Sequence, residues 1–183
     1  MRLYELQAGS VLLMSLVILL VMTLLGVGGI NLSSMQQRMA GSTQLRQDAF
    51  QAAEAALRDA EMHIALSDPL GPFSNHCANG FCEPASHTKQ VWQDSSQVDW
   101  LAGTNTIRYG THTGNPWLVN VATQPRYIIE RLPVTAPMTG ECYRITAVGF
   151  PGARQAAQVT LQSVYRQGAV QGLMGRQSWR QID

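Results

Sequence analysis

The chain has 183 residues, of which 45% are hydrophobic and 14% charged, with 13 Lys and Arg against 12 Asp and Glu. The net charge is +1, and the basic residues, arginines apart from Lys89, are scattered along the chain. Charge scattered in this way, with no basic stripe in the sequence, gives little support to nucleic-acid binding. About 115 residues follow the N-terminal helical region, enough for one modest core and too few for two.

The first nine residues, Met1 to Gly9, form a short polar leader ending in glycine. An apolar run, VLLMSLVILLVMTLLGVGGI from Val11 to Ile30, follows with no charge and only Ser15 and Thr23 as polar side chains. Twenty residues at about 1.5 Å each span roughly 30 Å, the thickness of a bilayer core. The run is longer than the roughly 7–15 apolar residues of a cleaved secretory signal. A membrane-inserted helix is therefore expected over residues 10–30. Arg2 lies on one side of it, Arg38 and Arg46 on the other. The positive-inside rule does not orient it.

From Met35 to Leu66 there is no proline. Ala49, Ala53, Ala56, Leu57, Ala60 and Ile64 recur at spacings of three and four, one face of a helix. Gln51, Glu54, Arg58 and Glu61 lie off that stripe, and Glu54 and Arg58 stand at i, i+4 in the favourable order. An amphipathic helix is expected over 31–67. It should stop near Ser67, because Pro69 disfavours helical geometry at Asp68.

Leader, apolar run and stalk, read together from Gln7 to Glu61, resemble type IV pilins, and more closely minor pilins of the PilX kind. QRMAG (Gln37 to Gly41) and AFQAAEAALRDAE (Ala49 to Glu61) are the most characteristic segments. RYIIERL (Arg126 to Leu132), CYRITAVGF (Cys142 to Phe150), VTLQSVYR (Val159 to Arg166) and SWR (Ser178 to Arg180) are also similar to that family. The resemblance covers somewhat over half the chain. It implies that a prepilin peptidase cuts between Gly9 and Ser10 and methylates the new amine on Ser10.

The fifth residue of the mature chain is glutamate in most pilins, where it neutralises the terminal amine of a neighbouring subunit. Here it is Met14. An uncompensated charge inside the bilayer costs at least about 2–3 kcal/mol. On this reading the subunit follows another poorly but can stand first. Family drift with no positional meaning is the alternative. Gly26, Gly28 and Gly29 cluster late in the span. In the family this neighbourhood unwinds on filament packing. Glycines in membrane helices also serve simply for close helix contact.

Residues 68–90 read as loop, with short strands possible around Val91 and Ile107. Arg126 to Leu132, Cys142 to Phe150 and Ala157 to Arg166 are strand candidates. The last two alternate, with Tyr143, Ile145 and Ala147 on one face and Val159, Leu161, Ser163 and Tyr165 on another. PGARQ joins them as an antiparallel hairpin. The expected fold class is α+β and pilin-like: a long N-terminal helix packed on a small antiparallel β-sheet. Loop region and sheet together fill 68–166. The tail, 167–183, is rich in glycine and glutamine and reads as a flexible end.

Three cysteines allow one bridge and one leftover thiol. Cys77–Cys82 closes a small loop with Asn79-Gly80 as its turn, leaving Cys142 free; Cys142 bridging to either is the alternative. Cys77, Cys82, His76 and His87 have zinc-ligand chemistry but no common zinc spacing. No nucleophile elbow, H-E-x-x-H or phosphate-binding loop is present, and neither a cofactor nor a metal is expected. Trp92 and Trp100, near Asp94 and Asp99, read as core or rim aromatics before a carbohydrate site.

The resemblance implies a non-enzymatic minor pilin that helps initiate pilus assembly at or near the tip and supports twitching motility and adhesion. It implies as partners other minor pilins, the major pilin, a tip adhesin, the inner-membrane assembly platform and the prepilin peptidase. The chain would be a single-pass inner-membrane protein with a periplasmic head before assembly, and a tip component of the pilus afterwards. The rivals are a minor pseudopilin of a type II secretion system and a membrane-tethered periplasmic ligand-binding domain.

Overall fold

The computed structural model describes residues 8–67, 70–83, 90–119, 121–133, 140–152, 158–168 and 175–182, and of residues 8–9 and 28–32 the backbone alone. It divides into two compact units, residues 1–43 and 44–183. One helix, α1, runs from Ala8 to Leu66. Its end matches the expected stop, and the Ser67 amide donates to the His63 carbonyl as the last turn closes.

In the first unit, every described side chain from Ser10 to Val27 is exposed. Ser10–Val27 has a mean hydropathy of 2.7 and is long and apolar enough to cross a membrane. Two of its hydroxyls are satisfied within the helix. Ser15 donates to the Leu12 carbonyl at 2.9 Å and Thr23 to the Leu20 carbonyl at 2.8 Å, so neither needs a partner from hydrocarbon.

In the second unit, the C-terminal part of α1 packs on a sheet that has six strands among the described residues. The strands are β1 (Phe81–Cys82), β2 (Ile107–Arg108), β3 (Arg126–Leu132), β4 (Glu141–Gly149), β5 (Val159–Gln167) and β6 (Gly175–Ile182). The order is β1-β3-β4-β5-β6, with β2 sharing the outer edge of β3 with β1. The strands pair antiparallel from β2 to β6, while β1 runs parallel to β3. The sheet is therefore mixed, where an antiparallel one was expected. The chain reaches β1 through the left-handed disulfide loop, and a two-residue strand can then lie either way along an edge.

All six stripe residues of α1, Ala49, Ala53, Ala56, Leu57, Ala60 and Ile64, are fully buried. They pack on Tyr127 and Ile129 of β3, Tyr143, Ile145 and Ala147 of β4, and Val159 and Leu161 of β5. The alanines bring helix and sheet close together. A Cβ on Gly149 would lie 2.0 Å from the Ala49 carbonyl oxygen and 2.6 Å from the Ala53 nitrogen, so only glycine fits there. On the opposite sheet face Ile128 packs with Cys77, Cys82, Val91 and Val98, and Trp92 and Trp100 close the cluster.

Three further expectations are corrected. The end of the tail is not a flexible end: Gly175–Ile182 forms β6, paired along β5 with a bulge between Val164 and Tyr165. The segment read as loop over 68–90 contains β1, and Val91–Gln93 is a single 3-10 turn, not a strand. The hairpin strands are as expected to within two residues, but Ala153 to Gln155 of their connection lie outside the described residues.

Candidate assembly site

The residues expected to carry assembly fall in the first unit. Gly9, Ser10 and Met14 all lie within α1, as do Gly26, Gly28 and Gly29. Met14 is 66% exposed in the middle of an apolar surface, with Val11, Leu12, Leu13, Leu16 and Ile18 similarly exposed. Among the described side chains from Ser10 to Val27 none is charged. Gly26 has open space where a side chain would project, so nothing within this chain requires glycine there. The leader up to Gln7 lies outside the described residues.

In the second unit, α1 organises the head through charged and polar side chains beside its alanine stripe. Asp59 is 1% exposed. Its carboxylate accepts from the Gly110 amide at 3.0 Å, from Asn115 Nδ2 at 2.8 Å and from the Thr113 hydroxyl. One helix residue thereby fixes the loop that follows β2. Tyr127 lies beside it: burial, with the Asp59 charge adding, pushes the phenol well above its usual range. One turn on, His63 is 5% exposed and stacks on His112 of the same loop, with ring centroids 3.9 Å apart. Burial and the neighbouring His112 lower the His63 pKa to about 4, against an opposing pull from Asp59.

A second cluster secures β6. Arg176 donates through Nε to Glu61 at 2.7 Å and through Nη1 to Glu54 at 3.0 Å, while Trp179 Nε1 donates to Glu54 at 3.0 Å. The expected Glu54–Arg58 pair is present at 3.4 Å, but Glu54 also serves the last strand. Phe50 meets the Trp179 ring edge to face at 5.9 Å. Asp59, the histidine stack and Arg176 all escape a stripe-based reading. Asp59 was nonetheless visible as a charge just before the stripe residue Ala60. Glu54 and Glu61 were visible as carboxylates two turns apart on one flank.

Cys77 and Cys82 form the expected disulfide, and Cys142 is a free, partly exposed thiol in β4. The bridged sulfurs are not available to zinc as thiolates, and His87 lies outside the described residues. The loop turns as its Asn-Gly suggests, with Asn79 at φ 56° and Gly80 at φ 82°, and the Gly80 amide donates to the Cys77 carbonyl at 2.8 Å. Asp94 and Asp99 are occupied in turns. Asp94 accepts from Ser96, and Asp99 from the Leu101 and Ala102 amides. Trp100 donates to the Trp92 carbonyl. These groups form a packed loop layer.

The geometry is thus that of an apolar, uncharged span continuous in sequence with a helix that nucleates an α+β head. Comparison with known families agrees along most of the chain. Residues 8–58 match the PilX N-terminal family model, and residues 78–167 match the model described as type IV pilus assembly protein PilX C-term. No curated protein and no solved structure matches the chain. The two family matches take in the span, the alanine stripe as far as Leu57, the disulfide loop from Ala78 onward and the sheet through β5, and the chain belongs to the PilX family of type IV pilus pilins.

Proposed function

We propose that this chain is a minor pilin that helps initiate type IV pilus assembly and remains at or near the pilus tip. On this reading the prepilin peptidase cuts between Gly9 and Ser10 and methylates the Ser10 amine. The span holds the subunit in the inner membrane with its head in the periplasm until assembly. Its work is binding: the span packs with the spans of other minor pilins and the major pilin, and the head contacts neighbouring heads and a tip adhesin. Twitching motility and adhesion depend on it through the pili it helps to start.

The observation that carries this reading is Met14. A subunit joining below another must neutralise that neighbour's terminal amine inside the membrane, where a lone charge costs at least about 2–3 kcal/mol. The mature chain has no carboxylate at that position. It lacks the means to follow but has no need of it when first. Gly26, Gly28 and Gly29 are proposed to let the helix yield as spans pack.

N-terminal sequencing of the mature protein tests the processing step. Methylated serine at Ser10 is expected, and an intact Met1 or a cut beyond residue 30 would sink it. Met14→Glu tests the position: pilus counts and labelled tip occupancy should change when the residue can follow. Unchanged priming and tip placement would remove the argument from charge.

A further inference from the structure

The sheet treats two of its arginines in opposite ways. Arg144 of β4 stands directly across from Glu130 of β3 and pairs with it at 3.2 Å. Arg126 of β3 stands directly across from Arg108 of β2. Like charges placed opposite each other on a sheet are destabilising. Among the described residues no carboxylate forms an ion pair with either Arg108 or Arg126.

A pocket of about 460 Å³ opens at this pair. Phe81 and Ile107 give it an apolar floor, and Thr106, Thr111, Asn79 and His112 join the two arginines around it. None of its lining residues is acidic. The disulfide loop forms one wall, and that wall is built to fit. A Cβ on Gly80 would lie 2.6 Å from the Ile107 side chain, so the loop seats on β2 only with glycine there. Asn105 ties the same loop down by donating to the His76 and Gln97 carbonyls.

The arginines are held in place by uncharged groups. Arg126 lies on the backbone of Gly103, where any Cβ would come within 2.2 Å of its Nη1. Its Nη1 donates to the Thr106 hydroxyl at 3.3 Å, and its Nε is buried with no hydrogen-bond partner. Arg108 rests on the Trp117 ring, 4.5 Å from the centroid. Burial and the neighbouring Arg108 lower the Arg126 pKa, with Asp99 opposing. Two held guanidinium groups with spare donors match a planar or tetrahedral oxyanion.

We propose that the pocket between the Cys77–Cys82 loop and the Arg108–Arg126 pair is a binding site for an oxyanion, a carboxylate or phosphate group carried by a ligand of the head. The oxyanion takes the position that Glu130 takes beside Arg144: it pairs with an arginine for which the described strands supply no ion-pair partner. This proposal does not depend on the role of Met14 or on tip placement.

Thermal melting of the full-length protein in neutral detergent, followed by tryptophan fluorescence, tests it. One series is titrated with inorganic phosphate and a second with succinate, with sodium chloride adjusted to hold ionic strength constant. A saturable rise in melting temperature is expected in at least one series, and the responding series identifies the oxyanion. Arg126→Gln and Arg108→Gln should each weaken the apparent affinity about tenfold or more, as loss of a charged hydrogen bond does. Arg108 is exposed, so its variant carries the test if Arg126→Gln does not fold. No saturable rise in either series overturns the proposal, and so does a rise that is undiminished in the folded variants.

Discussion

Residues 10–27 and 49–64 lie in the same helix, and their apolar side chains meet opposite conditions. In the first stretch leucine, valine, isoleucine and methionine cover every face and all are exposed. In the second, alanine dominates one face and is wholly buried. Large side chains on all faces suit a surround that adapts to them, as lipid does. Small side chains on one face suit a fixed neighbour, because they let two backbones approach. Polar groups follow the same division. Ser15 and Thr23 turn back on their own helix, whereas Asp59, Glu54 and Glu61 reach across to the head. The span is self-sufficient as a helix, and the stalk is a scaffold for other segments.

Glycine gives the sharpest test of that contrast. Gly149→Val should destabilise the head by about 3 kcal/mol or more, because a Cβ would meet the Ala49 and Ala53 backbone, which has no rotamer to escape into. Gly26→Ala should leave the head's melting temperature unchanged, since open space surrounds it. Equal effects from the two substitutions would erase the distinction between the regions.

Asp59→Ala comes next. It strands three donors, on Gly110, Thr113 and Asn115, and should cost about 2–3 kcal/mol in denaturant unfolding. Hydrogen exchange should rise first at the Gly110 amide. Removing the bridge with Cys77→Ser and Cys82→Ser together should cost about 2 kcal/mol, the loop-closure entropy of a five-residue separation. Limited proteolysis should then cut near Asn79.

Acid sensitivity, negligible at neutral pH, comes last. His63 binds a proton at an ordinary pH near 6.5 when unfolded but only at about 4 in the head. The unfolded chain therefore takes up more protons between those values, and stability falls as pH drops from about 6.5 towards 4. His63→Gln should flatten the dependence over that window. A variant whose melting temperature follows pH as steeply as the parent would remove His63 as the cause.

Local patterns made much of the fold readable. The alanine stripe, the helix end near Ser67, β3 to β5 and the short disulfide loop each follow from residues close together in sequence. What stayed hidden depends on distant partners. The donors to Asp59 lie 51 to 56 residues further on, and Arg176 meets Glu61 across 115 residues. β6 was hidden for a related reason. Its glycine- and glutamine-rich approach suggests a loose end, and most of its side chains are exposed. It is held by pairing to β5 and by the Arg176 and Trp179 contacts to α1 rather than by burying an apolar face of its own. The arginine pair escaped because register, which sets Arg108 opposite Arg126, cannot be read from either strand alone.

The contacts of Arg176 and Trp179 also set an order of events during biosynthesis. Glu54 and Glu61 are made early, whereas Arg176 and Trp179 follow 115 and 125 residues after the carboxylates they bind. Contacts of such wide separation form late and slow folding. This part of the stalk flank stays open to solvent until β6 has been made. β6 then closes on the helix late in folding, through side chains far along the sequence from their partners.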